Sequence, residues 1–389
     1  MNEYVIKGGS VYTEDNVFSP GFVHIVNEKI MAAGPILECP VVDQIMFVSH
    51  KSMILPGAVD IHIHGAAGVD AMDAKEDSLH QMASFLPSEG TTTFLATTMT
   101  QEKTSIERAL DCFSRFEQKT GEAEIAGIHL EGPFISPKHP GAQPRDAIIE
   151  PDIDLFEKWH ALSGGNIRLV TLAPEEKKGT ELASHLAHLN ITASAGHTDA
   201  TFDQLIEAAE AGVTHVTHLY NGMRGMHHRE PGTAGGALIH DELFVEMIVD
   251  GIHIHPQMVK LAFNQKTANR TILITDSMRA KGLPDGEYEL GGQAVSVTNG
   301  KAVLRDGTLA GSTLSMQQAI QNMQAFTGCT VQDIVKMTAR NPAKQARLYD
   351  RKGSITPGKD ADLVIYDKEF RVQKTICRGV IAFEQEAEK

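Results

Sequence analysis

Between residues 54 and 277 the chain alternates short apolar runs with amphipathic stretches, eight times over. The runs read as strands at 54–64, 91–98, 124–132, 167–175, 191–198, 213–221, 243–255 and 271–277. Helical periodicity lies between most of them, as in KEDSLHQMASFLPSEG, TFDQLIEAAEAG and PQMVKLAFNQKT. Eight β units alternating with α units predict a (β/α)8 TIM-like barrel. An open doubly wound sheet is the competing architecture, but no GxGxxG follows the first strand, which argues against its dinucleotide-binding form. Residues 1–55 and 356–389 have β texture broken by turn signals. Both ends are therefore expected to meet in one small β-sandwich domain. The barrel is expected over 56–355, with a small β insertion near 284–310.

The first strand ends in His62-Ile63-His64-Gly65. Side chains alternate along a strand, so His62 and His64 share a face and Ile61 and Ile63 take the other. Two imidazoles side by side at the end of a buried strand must be hydrogen-bonded or share a cation. Polar residues recur at the same end of the other runs: His129 and Glu131, His197, His215 with His218 and Asn221, Asp250 with His253 and His255, and Asp276. That is the end of a barrel where chemistry sits. Four histidines and two carboxylates converging on one mouth read as a metal constellation, and as a binuclear one.

Some positions carry a choice. His215 and His218 are three apart, so on a regular strand only one faces inward; His218, nearer the strand end, is taken as the ligand and His215 as a packed histidine facing the helices. His129 and Glu131 share a face, and Glu131 is favoured because a carboxylate can bridge two cations. His129 stands between an orienting and a structural role. His227 and His228 lie in a loop, open to solvent or substrate. His80, His160, His185 and His188 fall in helical stretches and are read as surface residues.

The net charge of −15 argues against affinity for nucleic acid or an anionic membrane. No run is long and apolar enough to span a bilayer. Cys39, Cys112, Cys329 and Cys377 are far apart and form no CxxC, and the N-terminal residues read as strand and turn. A cytoplasmic protein with reduced thiols is expected.

The segments LPGAVDIHIHG, GIHLEGPFISPKHPGAQP, SAGHTDAT, THLYNGM, HHREPG, DGIHIHP, ITDSMRAKG, DGTLAGS and GKDADLVI together resemble the amidohydrolase superfamily. Within it they are most similar to the family of N-acetylglucosamine-6-phosphate deacetylases. The resemblance runs from the first strand to the tail, and HLEGPFISPKHPGA is its most specific stretch. It implies hydrolysis of the acetamido group of N-acetyl-D-glucosamine 6-phosphate to D-glucosamine 6-phosphate and acetate. It makes Glu131, His197 and His218 the ligands of one metal. His62 and His64 fit a second site, which Glu131 bridges and Asp276 closes. Some members lack the HxH pair and use one metal; both histidines are present here, which favours two divalent cations drawn from zinc, iron, manganese or cobalt.

Asp276 is the residue expected to move the proton, as general base and then general acid. Sugar-phosphate contacts map to Asn221 and the adjoining Gly222, Arg229 and His253. In relatives that arginine enters the neighbouring subunit, which implies a homodimer. Two departures stand out. Gly222 occupies a position where the family usually has Ala, and Gln143 one where some relatives have His, so the substrate contact of Gln143 is open. Arg224 adds a candidate phosphate contact. The competing readings are another amidohydrolase acting on a cyclic amide, of dihydroorotase or hydantoinase type, and a non-catalytic sugar-phosphate sensor. The first would use a carbamylated Lys where Glu131 stands, and the second would lack metal ligands.

Overall fold

The computed structural model of the chain describes residues 2–386. Its centre is an eight-stranded parallel sheet in sequential order. The strands are β1 (Ala58–Ile63), β2 (Thr91–Thr97), β3 (Glu124–Glu131), β4 (Ile167–Leu172), β5 (Thr192–Ala195), β6 (Val213–Val216), β7 (Phe244–Ile248) and β8 (Thr271–Ile274). A helix follows each strand, from Glu76–Phe85 after β1 to Met316–Thr327 after β8. Such strands are covered on both faces, which is why they read as nearly continuous apolar runs. Every residue of β1, β2 and β7 is buried.

The barrel closes just beyond the ends of β1 and β8. The Asp276 amide donates to the His62 carbonyl at 2.8 Å, and the His64 and Gly65 amides donate to the Ser277 carbonyl at 3.0 and 2.9 Å. The seam of the barrel thus runs through residues expected to bind metal.

The first expected run is two strands. Met53–Pro56 pairs antiparallel with Leu363–Tyr366, and β1 starts at Ala58. Gly57 lets the chain cross between the sheets, because a Cβ there would lie 2.2 Å from Thr92 Oγ1. Strands from both ends of the chain share the six-stranded sheet that contains Met53–Pro56, and a four-stranded sheet made of residues 3–47 accompanies it. Ile6, Val23, Ile25, Ile54, Leu363 and Ile376 belong to one core between them. The small β-sandwich built from both termini is therefore present. The insertion is a three-stranded antiparallel sheet, Gly286–Leu290, Gln293–Thr298 and Lys301–Leu304. No helix among the described residues is long and apolar enough to cross a membrane.

Candidate metal centre

His62 and His64 leave β1 on one face, and Glu131 ends β3; all three are buried. His197, His218 and Asp276 follow the ends of β5, β6 and β8. These three share a backbone device. Each has a positive φ, +47°, +29° and +46°, where non-glycine residues are strained. The turn redirects each side chain off its strand and into the mouth.

The six side chains form two groups that share a carboxylate. Glu131 Oε1 lies 3.3 Å from both His197 Nε2 and His218 Nε2, and those two nitrogens are 3.1 Å apart. Asp276 Oδ1 lies 3.4 Å from His62 Nε2 and 3.2 Å from His64 Nε2. Glu131 reaches this second group as well, with Oε1 3.4 Å from His62 Nε2 and Oε2 3.2 Å from His64 Nε2. Tetrahedral ligands about 2.0–2.1 Å from zinc sit roughly 3.3 Å from one another. His62 Nε2 is buried and makes no hydrogen bond among the described residues. Unpaired imidazole nitrogens facing carboxylates at these spacings fit a divalent cation.

The electrostatics of the bare protein agree. Burial pushes the Glu131 carboxyl up, but His62 and the hydrogen bonds from His197 and His218 outweigh it and hold it well below its usual range. Asp276 is also lowered, against its burial, by His62 and His64. Burial pulls His64 down, yet Asp276 and Glu131 carry it up to about 10. Without a cation this site therefore holds protons in its place.

Surrounding groups orient the ligands. His197 Nδ1–H donates to the His139 carbonyl at 2.9 Å. The His139 imidazole contacts Asp199 at 3.0 Å, and Arg224 pins the same carboxylate at 2.8 Å. Arg224 thus holds a loop in place, with its other donor on the Asp199 carbonyl. Gln143 accepts from the Thr100 amide at 2.8 Å and donates to Glu131 Oε2 at 2.7 Å. His129 bonds the Ile61 carbonyl and the Thr171 hydroxyl, and burial, with His62 adding to it, lowers it to about 3. It is a neutral packing histidine beneath His62.

The donors face a cavity of about 200 Å³. Asn221, Gly222, His253 and Gln143 line it, and Met99 and Leu290 form an apolar wall. His253 Nδ1–H donates to Asp250 at 2.6 Å, which leaves the other ring nitrogen for a ligand. Arg229 is not brought to this cavity; it is exposed and lies beside His228. His255 caps the helix Pro256–Arg270 and takes no part.

One expectation needs correction. His215 does not face the helices; its Nε2 donates to Glu246, the same carboxylate that takes His62 Nδ1–H. β6 ends at Val216, so the alternation that separated His215 from His218 no longer applies at His218. Glu246 itself escaped notice in the sequence. Its signal was a lone carboxylate inside the apolar run FVEMIV.

The Amidohydrolase family model matches residues 53–382. The chain is 51% identical over 385 residues to the N-acetylglucosamine-6-phosphate deacetylase of Bacillus subtilis (strain 168), covering 97% of each. It is 49% identical over 329 residues to the enzyme of the same name from Lysinibacillus sphaericus, covering 84% of this chain and 85% of that one. Its fold is similar to that of a mutant N-acetyl-D-glucosamine-6-phosphate deacetylase from Mycobacterium smegmatis in complex with N-acetyl-D-glucosamine 6-phosphate. The TM-score is 0.91 at 29% identity, with 98% of this chain and all of that one covered.

Proposed function

The chain belongs to the amidohydrolase family, and from that membership and the geometry of its mouth we infer that it is an N-acetyl-D-glucosamine 6-phosphate deacetylase. It hydrolyses the acetamido group of the sugar phosphate to D-glucosamine 6-phosphate and acetate. The observation that carries this reading is the intact donor set around Glu131, opening on a cavity that also holds Asn221 and His253.

Glu131, His197 and His218 would hold one divalent cation, and His62, His64 and Asp276 a second, with Glu131 shared. Nitrogen and oxygen donors of this kind suit zinc, iron, manganese or cobalt. Such a cation supplies Lewis acidity that makes hydroxide available near neutral pH. Asp276 is ionised in the folded chain and lines the cavity, so it accepts the proton of the attacking water. It then returns that proton to the amide nitrogen, which leaves as an amine. Asn221, the Gly222 backbone and His253 hold the sugar-phosphate end, so binding energy remote from the amide orients the reacting carbonyl.

The phosphate still needs a charged partner, and none of the cavity residues is a Lys or Arg. Arg229 fills that role from a neighbouring subunit in a homodimer. It extends from an exposed loop beside an apolar groove that Met226, Leu238, Ile239 and Leu261 line. A planar guanidinium pairs with phosphate oxygens through two N–H groups. A cytoplasmic location suits a phosphorylated substrate and four free cysteines.

The test is acetate release from N-acetylglucosamine 6-phosphate by the metal-replete protein, with unphosphorylated N-acetylglucosamine in parallel. Release from the phosphorylated sugar alone is expected. Release from neither would overturn the reading.

A further inference from the structure

Neither donor group uses Glu246, a buried carboxylate in contact with one of the ligands. Glu246 lies in the middle of β7 and is fully buried. Its Oε2 accepts His62 Nδ1–H at 3.0 Å and the His218 amide at 3.2 Å. Its Oε1 accepts His215 Nε2–H at 3.0 Å. A single side chain thus joins β1, β6 and β7 directly beneath the mouth.

A carboxylate only accepts hydrogen bonds, so each imidazole beside it must present an N–H. For His62 this places the proton on Nδ1 and turns Nε2, with its lone pair, toward Glu131 and Asp276. His64 has no such help, because its Nδ1 makes no hydrogen bond among the described residues. The other group is oriented through the His139 carbonyl on His197, and Glu246 reaches it only at the His218 backbone amide, not at its ring. A cation bound by Glu246 itself does not fit, although His62, His129 and Glu246 lie close enough to suggest one. Both nitrogens of His129 are engaged, and so are both oxygens of Glu246.

We propose that Glu246 is the positioning residue of the second cation position, the one that His62, His64 and Asp276 form. It fixes the tautomer and direction of His62, while His215 occupies Oε1 and keeps Oε2 turned toward His62. The proposal rests on the two-cation reading above. Partners of this kind behind a metal-binding histidine change metal affinity by about 10–100-fold.

The experiment is a titration of metal-stripped protein with Zn²⁺ against a chelator of known affinity, counting equivalents per chain. The unsubstituted protein is expected to take up two. Glu246→Gln keeps the shape but replaces one acceptor oxygen by NH₂, so it cannot accept from both imidazoles. It should bind the first equivalent normally and the second about 10–100-fold more weakly. His215→Gln keeps an N–H donor for Oε1 and should retain both. Two equivalents at unaltered affinity in Glu246→Gln, or equal weakening of both, would overturn the proposal and leave the two-cation reading standing. A single equivalent in the unsubstituted protein would remove that reading and the proposal with it. If Glu246→Gln lacks a cooperative unfolding transition, Glu246→Asp decides, since it keeps the charge but withdraws it by one methylene. The same selective loss of the second equivalent is expected.

Discussion

Asp276 answers two demands with one carboxylate: it stands within reach of both histidines of the second group, and it opens on the cavity. Asp276→Asn keeps the shape but removes the base proposed above, so kcat should fall by about 10²–10⁴ in a steady-state acetate assay. For Arg229 the proposed role is in binding. Removing a charged hydrogen bond costs about 1.5–3 kcal/mol, so Arg229→Ala should raise KM by roughly 10–100-fold with little change in kcat. The His64 side chain ties cation affinity to pH. Its pKa in the bare protein is raised from the ordinary imidazole value to about 10, so an incoming cation must displace a proton. Affinity should therefore rise with pH through the neutral range and level off only above about 10. Calorimetric titration in two buffers of different ionisation enthalpy should show net proton release at pH 7; none would contradict the protonated state. The histidines and carboxylates of the mouth were legible because strand ends are a narrow stretch of sequence and polar residues there stand out. Glu246 and the true setting of His215 were not. Both depend on which strands become neighbours and on the positive φ at His218, and neither is written in local spacing.

The eight strands were legible as elements because burial on both faces leaves a plain apolar run. Their ends were read too long. The run 243–255 shrinks to Phe244–Ile248, since Val249 and Ile254 are buried by packing outside the ladder. The same cause fused Met53–Pro56 with β1, where only a proline-glycine pair marks the change of sheet. Gly57 makes that crossing testable. A side chain there collides with Thr92, so Gly57→Val should destabilise the fold by about 1–3 kcal/mol, seen as a lower urea midpoint with an unchanged slope. The insertion was visible as a β excursion, but its effect on the cavity was not, because the contact of Leu290 with the mouth is long-range.

At the scale of the molecule, the barrel and the small sandwich are joined by a buried ion cluster. Lys352 lies 2.7 Å from Glu124 at the start of β3 and 3.1 Å from Asp360, and also pairs with Asp362. Burial alone would pull its ammonium down, but these carboxylates hold it well above the lysine range. Lys352→Met leaves Asp362 without a cationic partner, while Arg351 still pairs with Glu124 and Asp360, and the loss should be about 3–5 kcal/mol, measured by chemical unfolding. The seam between β1 and β8 has a different consequence, one of timing. Ser277 and Gly65, bonded across it, are 212 residues apart in the chain. Glu131, His197 and His218 are all synthesised before β8 exists, whereas the position that Asp276 completes has no form until the last strand docks. His62 and His64 on the first strand thus meet Asp276 only once the last strand has docked, so that half of the cluster is the part of the mouth that depends on closure of the barrel.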